Sequence, residues 1–260
     1  MNYFLALFAG AIQGLTEFLP ISSTGHLIIF ENVFKISQKE FGLAFDASLH
    51  LGTLLAVLIF FYKDYLSILN FKNNLLIKLI IGTIPAAILG LIFESFIENQ
   101  FRSLALIGYS MVFFSFIMVA AEIVAKIQRK DIAISKKDSF IVGLAQSLAL
   151  VPGISRSGAT ISAGLFLGQT RASAARFAFL LSGPIIAGAG SKKFFDVAMR
   201  QNLTSDDLRF FIIGIISSAI FGYLTIKYFL KYLQTNTIYP FIAYRIILGL
   251  ILILLPLLIR

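Results

Sequence analysis

Cysteine and tryptophan are absent from the 260 residues, and histidine occurs only twice. Without Cys there can be no disulfide, no iron–sulfur cluster and no thiolate nucleophile, and two His without Cys speak against a structural zinc site. Charge is also scarce: 13% of residues are charged, against about one quarter in soluble domains. Apolar residues take its place. The chain is 58% hydrophobic with a mean hydropathy of +0.89, the composition of an integral membrane protein. The 27 Phe suit the acyl region, and the nine Tyr are the candidates for an aromatic interface belt.

Acidic residues are few beside basic ones, and the formal net charge is +9. The Lys and Arg residues are spread through short loops between apolar runs. This is the pattern of positive-inside bias and attraction to lipid headgroups, so membrane lipids and not nucleic acid are the expected partners. The N-terminal MNYFLALFAG has no basic region ahead of its apolar run, which meets Glu17 without a cleavage site; it does not read as a signal peptide.

Six stretches approach or reach the roughly 20 residues that cross a bilayer: about 41–62, 75–97, 103–126, 173–190, 208–232 and 238–259. Two others, 3–34 and 139–168, are broken near the middle by Pro, Gly and Ser. Pro20 and Pro152 interrupt helical hydrogen bonding, and Gly25, Gly153 and Gly158 permit reversal. Both stretches are predicted to be re-entrant helix–turn–helix hairpins. Irregular backbone at membrane depth must be satisfied by protein or water, so the two turns should share one polar cavity.

The two broken stretches repeat each other. At an offset of 133, Gly10, Gln13, Leu15, Ile21, Ser22 and Gly25 fall on Gly143, Gln146, Leu148, Ile154, Ser155 and Gly158. IIGTIPAAILG (80–90) likewise resembles IIGIISSAIFG (212–222). The expected architecture is a single all-α polytopic domain of two repeats, about 1–130 and 131–260. Each repeat holds one hairpin and three crossings. Three is odd, so the repeats should have inverted topology. Lys63, Lys72, Lys78, Lys126, Arg129, Lys130, Lys136, Lys137, Arg171, Arg176, Lys227 and Lys231 fall on one side. Lys35, Lys39, Arg102, Lys192, Lys193, Arg200, Arg209 and Arg260 fall on the other. The richer side is expected to be cytoplasmic, which leaves both termini and the first hairpin outside.

The polar residues concentrate in QGLTEFLPISSTGH (13–26) and VPGISRSGAT (151–160). A charge at membrane depth costs roughly 2.5–3.5 kcal/mol even on insertion scales, so its presence needs a cause. Gln13 and Glu17 share one helix face at i,i+4. Ser22, Ser23 and Thr24 are natural caps for a following half-helix that carries His26. Gly153 turns the second motif, after which Ser155, Arg156, Ser157 and Thr160 open another half-helix. Two helix N-termini and the Arg156 fork form an anion cradle. Glu17 can serve as general base or bind a divalent cation. Either Ser23 or His26 can attack phosphorus, with the other assisting, while Arg156 and backbone donors stabilise the transferring group.

These strings resemble those of the bacterial undecaprenyl-diphosphate phosphatases of the bacitracin-resistance type, over essentially the whole chain and including the Tyr244–Arg245 pair. The resemblance implies an inner-membrane enzyme that removes the terminal phosphate from undecaprenyl diphosphate. The product is the lipid carrier of cell-wall synthesis. It further implies Glu17, Ser23, His26 and Arg156 as the catalytic set and a dependence on Mg²⁺ or Ca²⁺. Gln13, Ser22, Thr24, Gly153, Ser155, Ser157 and Thr160 are the expected substrate-binding residues, and Glu17 the metal ligand. The family's first motif often begins with Glu where this chain has Gln13, which leaves the carboxylate role to Glu17.

Structural readings stand beside these. Glu17 can serve as a buried cap for helix-end amides, His26 as a neutral cap, and the hydroxyls as packing groups. Asp46 and His50, at i,i+4, can relay protons, line the cavity or gate its mouth. Glu122 and Arg245 are expected to pair with helix ends or nearby groups. The competing function is a transporter or flippase of anionic polyprenyl-phosphate lipids, since inverted repeats with broken helices are common to transporters. A homodimer is left open.

Overall fold

The computed structural model describes residues 3–34, 43–68, 74–101, 103–127, 134–200 and 205–258. Lys35, Lys39, Lys72, Arg102, Arg129, Lys130 and Arg260, counted in the charge distribution above, lie outside them. The described residues are helical without strands. The order is α1 Tyr3–Phe18, α2 Ser23–Val33, α3 Leu43–Phe60, α4 Tyr62–Ser67, α5 Leu75–Gln100, α6 Leu104–Ile127, α7 Lys136–Leu148, α8 Arg156–Phe166, α9 Arg171–Arg200, α10 Ser205–Tyr232 and α11 Tyr239–Leu258.

Four of these are long and apolar enough to cross a membrane, within α5, α6, α9 and α10; Phe45–Phe60 and Tyr239–Leu254 are shorter apolar helices. The chain is therefore an all-helical, multi-pass membrane protein. Its outer surface agrees: Phe4, Leu91, Phe113 and Phe116 are exposed, while Phe18, Phe61, Phe179 and Met118 are buried in the main core.

Several boundaries differ from expectation: α5 runs to Gln100 rather than 97, α10 begins at Ser205 rather than 208, and the short helix α4 follows α3. The second broken stretch begins at Lys136 rather than 139, because Ser135 and Asp138 form a capping box. Ser135 Oγ accepts from the Asp138 amide at 3.1 Å, and Asp138 Oδ2 accepts from the Ser135 amide at 2.8 Å. Hydropathy alone misses so polar a start. The stretch placed at 173–190 is the longer helix α9, which continues through Pro184.

The pairing of helices is reciprocal between the halves: α1 packs on α10 and α7 on α5, while α3 meets α9 and α6 meets α11. Repeated glycines make two of these approaches possible. A Cβ on Gly10 would strike the Gly214 carbonyl, and one on Gly143 would strike that of Gly82. Gly10 and Gly143 are repeat partners, as are Gly82 and Gly214.

Candidate active site

Both breaks turn on a serine in an unusual conformation. Ser22 and Ser155 have φ of 74° and 78°, a region non-glycine residues seldom enter. Each caps the following helix: Ser22 Oγ accepts from the Gly25 amide at 3.4 Å, and Ser155 Oγ from the Gly158 amide at 3.1 Å. The helices they cap, α2 and α8, are the same length and exactly one repeat apart.

The two breaks meet. Ser157 Oγ donates to the Leu19 carbonyl at 2.9 Å. Arg245, fully buried in α11, donates to the Pro20 carbonyl at 3.4 Å and the Gly153 carbonyl at 2.9 Å. It also reaches Ser115 Oγ at 3.2 Å and the Met111 carbonyl at 3.3 Å. One guanidinium thus satisfies backbone oxygens from both breaks, as its several fixed donors allow.

Beside this junction lies a cavity of about 330 Å³, lined by Glu17, Ser22, Ser23 and Thr24 from the first break and Gly153, Ser155 and Arg156 from the second. Asp46, His50 and Gln146 complete its polar lining, and Ile185, Ile186 and Ala189 of α9 form part of its apolar wall.

Glu17 is the hub. It is 6% exposed at the end of α1. Its Oε2 accepts from Ser23 Oγ at 2.6 Å and from Gln13 Nε2 at 2.9 Å, and its Oε1 pairs with Arg156. His50 Nδ1 lies 3.7 Å from the same carboxylate and 2.9 Å from Gln13 Nε2. A carboxylate bonded to a hydroxyl is the pairing a serine nucleophile needs, and the adjacent guanidinium is suited to phosphate oxygens.

The remaining expected residues are placed otherwise. Gln13 supports Glu17 without lining the cavity. His26 is not among the lining residues. Its Nδ1 meets the Ser22 carbonyl at 2.7 Å and its Nε2 meets the Tyr244 hydroxyl at 2.7 Å, with the two rings stacked. A carbonyl only accepts, so Nδ1 carries the hydrogen, and in the neutral form of the ring Nε2 accepts from Tyr244. Thr160 Oγ1 donates to the Arg156 carbonyl at 2.8 Å. Glu122 holds Arg171, with Arg171 Nε at 2.8 Å, and accepts from the Ile238 amide at 2.8 Å.

In this structure the Glu17 carboxylate is held by protein partners. Both of its oxygens are engaged, and among the described residues no three His, Cys, Asp or Glu side chains converge to hold an ion.

Residues 6–251 match the family described as bacitracin resistance protein BacA. The chain belongs to this family. Among its relatives, an undecaprenyl-diphosphatase of Thermodesulfovibrio yellowstonii is 44% identical over 252 residues, which cover 97% of this chain and 96% of the relative. An undecaprenyl-diphosphatase of Geotalea daltonii is 41% identical over 265 residues, covering 96% of each. One of Marinobacter nauticus is 42% identical over 261 residues, covering 96% of this chain and 97% of the relative.

Within the family framework, the repeat offset exposes a division of labour. Glu17, Ser23 and His26 of the first repeat correspond to Leu150, Arg156 and Ala159 of the second. The carboxylate, hydroxyl and imidazole thus stand in the first half and the guanidinium in the second. The sequence missed two participants, Gln146 and the bridging role of Arg245. The signal for Gln146 was its match to Gln13; for Arg245 it was a charge within an apolar helix.

Proposed function

We propose that this chain hydrolyses undecaprenyl diphosphate to undecaprenyl phosphate and inorganic phosphate, recycling the lipid carrier of the bacterial cell wall. The observation that carries this reading is the Ser23–Glu17–Arg156 arrangement in a cavity between two helix breaks, in a chain whose relatives bear that enzyme's name.

Ser23 Oγ attacks the terminal phosphorus while its proton passes to Glu17 Oε2. The bond from phosphorus to the bridging oxygen breaks, and undecaprenyl phosphate leaves with the bonding electrons. Water then attacks the phosphoserine; the bond from phosphorus to Ser23 Oγ breaks, Glu17 returns its proton to Ser23 Oγ, and the proton lost by water leaves on the released phosphate. Arg156 and the amides opening α2 and α8 stabilise charge on the transferring group. His26 positions the turn around Ser22 through its two hydrogen bonds.

A divalent cation, Mg²⁺ or Ca²⁺, belongs in this scheme as part of the substrate, carried on the diphosphate oxygens, and no step is assigned to an ion resident in the protein.

We further infer that α1–α2 and α7–α8 are re-entrant hairpins in an inverted repeat, with α3, α5, α6, α9, α10 and α11 as six crossings. Helix length supports this. At 1.5 Å per residue, α1 reaches about 24 Å and α2 about 16 Å, short of the roughly 30 Å hydrocarbon core. The basic loops support a cytoplasmic-membrane protein whose first hairpin, and with it the cavity, opens to the periplasm.

The test is phosphate release from undecaprenyl diphosphate by detergent-purified protein, with and without EDTA, beside Glu17→Gln and Arg156→Ala. Release by the wild type, lost in both variants with melting temperature retained, is expected. EDTA should slow release without lowering the melting temperature. Absence of release from folded wild type, with lipid-headgroup movement in proteoliposomes, would replace the phosphatase by a transporter.

A further inference from the structure

Gln146 lies in the last turn of α7, 3% exposed, and lines the same cavity. Neither its Nε2 nor its Oε1 has a hydrogen-bond partner among the described residues. Buried amides are rarely left so, because both groups bear the full loss of hydration; an exception calls for a cause. The repeat sharpens the contrast. Gln13, at the equivalent position, commits its Nε2 to Glu17 and His50, both at 2.9 Å. In the second repeat Leu150 stands where Glu17 stands in the first, so the carboxylate that occupies Gln13 has no counterpart for Gln146. A leucine or methionine at 146 would fill comparable space without leaving an amide unpaired.

The amide's chemistry suits the cavity's expected occupant. The non-bridging oxygens of a diphosphate only accept, and the Gln146 Nε2 offers two hydrogens. Arg156 already supplies positive charge on this side, partly offset by Glu17. A neutral donor adds a directional contact without changing the net charge of the site.

We propose that Gln146 is a substrate-binding residue whose Nε2 donates to the non-bridging oxygens of the diphosphate when the headgroup occupies the cavity. The inference rests on the phosphatase reading above and deepens it: the second repeat reads the headgroup through Arg156 and Gln146, while the first carries out the transfer.

The experiment compares wild type with Gln146→Leu and Gln146→Glu. Melting temperature and steady-state hydrolysis of undecaprenyl diphosphate are measured, and inorganic pyrophosphate is titrated by calorimetry. The Leu variant breaks no hydrogen bond within the protein, so its melting temperature should hold or rise. Its KM and its Kd for pyrophosphate should each rise about tenfold or more, the loss of a hydrogen bond to a charged acceptor, with kcat little changed. The Glu variant keeps the shape but places a negative charge against the diphosphate, and should raise KM further. Wild-type KM and Kd in a stable Leu variant would overturn the proposal. So would a Leu variant that melts early while the Glu variant keeps wild-type KM and Kd, since the amide would then be structural. If wild type releases no phosphate, the phosphatase reading fails by itself, and the pyrophosphate titration still decides whether Gln146 binds the headgroup.

Discussion

Ser23 donates its hydroxyl hydrogen to Glu17 at 2.6 Å, so in the proposed reaction the proton that attack would displace already points at its acceptor. Ser23→Ala should lower phosphate release by at least about 1000-fold, the scale of losing a nucleophile held by its base. Acid quenching with radiolabelled substrate should trap phosphoprotein in the wild type and none in the variant. Arg245 works at the same scale but on structure. Arg245→Met leaves the carbonyls of Pro20 and Gly153 without this donor, at about 1–3 kcal/mol for each buried group. Thermal unfolding in detergent should show a clear drop in melting temperature. Activity should fall with it, since the two breaks that frame the cavity lose one of their ties and keep the Ser157–Leu19 bond. Wild-type stability in this variant would remove Arg245 from that role.

Helices α1 and α7 are held to the other half at paired glycines, and this contact belongs to the element rather than the residue. Gly143→Ala places a methyl group against the Gly82 carbonyl, where backbone cannot yield cheaply. Overpacking of this kind costs about 1–3 kcal/mol. The expected result is a lower melting temperature together with weaker activity, because a shift of α7 moves Gln146 and the break that follows it. Gly10→Ala should behave alike, since Gly10 meets the Gly214 carbonyl on α10 in the same way. Activity and stability that differ sharply between the two variants would argue against equivalent packing in the two halves. The half-helices α2 and α8 begin at Ser23 and Arg156, so each hairpin delivers its key side chain at the first residue of a helix. The residues that open both helices, Ser23 and Thr24 in one and Arg156 in the other, line the same cavity.

For the whole molecule the open quantity is sidedness, and the composition supplies a clean probe. With no native cysteine, any single introduced Cys labels without background. Thr235, between α10 and α11, and Ser205, at the start of α10, are both exposed and lie at opposite ends of one long helix. Thr235→Cys should react with an impermeant maleimide only after the cytoplasmic face is opened, and Ser205→Cys in intact spheroplasts. The reverse pattern would invert the orientation and place the first hairpin inside. Side-chain contacts already tie several ends together. Asp64 meets Arg176, and Glu122 joins Arg171 to the start of α11, at one end; Tyr3 meets Asp206 at the other.

The amino-acid sequence by itself determined the membrane class, the helices, the two breaks and the family. Hydropathy, proline and glycine act over a few residues, and motif strings are contiguous. It also placed Gln13 and Glu17 on one face, because i,i+4 spacing is local. Only the tertiary structure decided which distant groups meet. Arg245 and Pro20 are 225 residues apart, and Ser157 and Leu19 are 138 apart. His50 came to Gln13 and Glu17 through the packing of α3 on α1, while His26 came to Tyr244 instead of the cavity. The same packing left the Gln146 side-chain amide in the cavity without a hydrogen-bond partner among the described residues. Such contacts follow from how closely helices of the two halves approach, which the glycine pairs permit but no local pattern encodes.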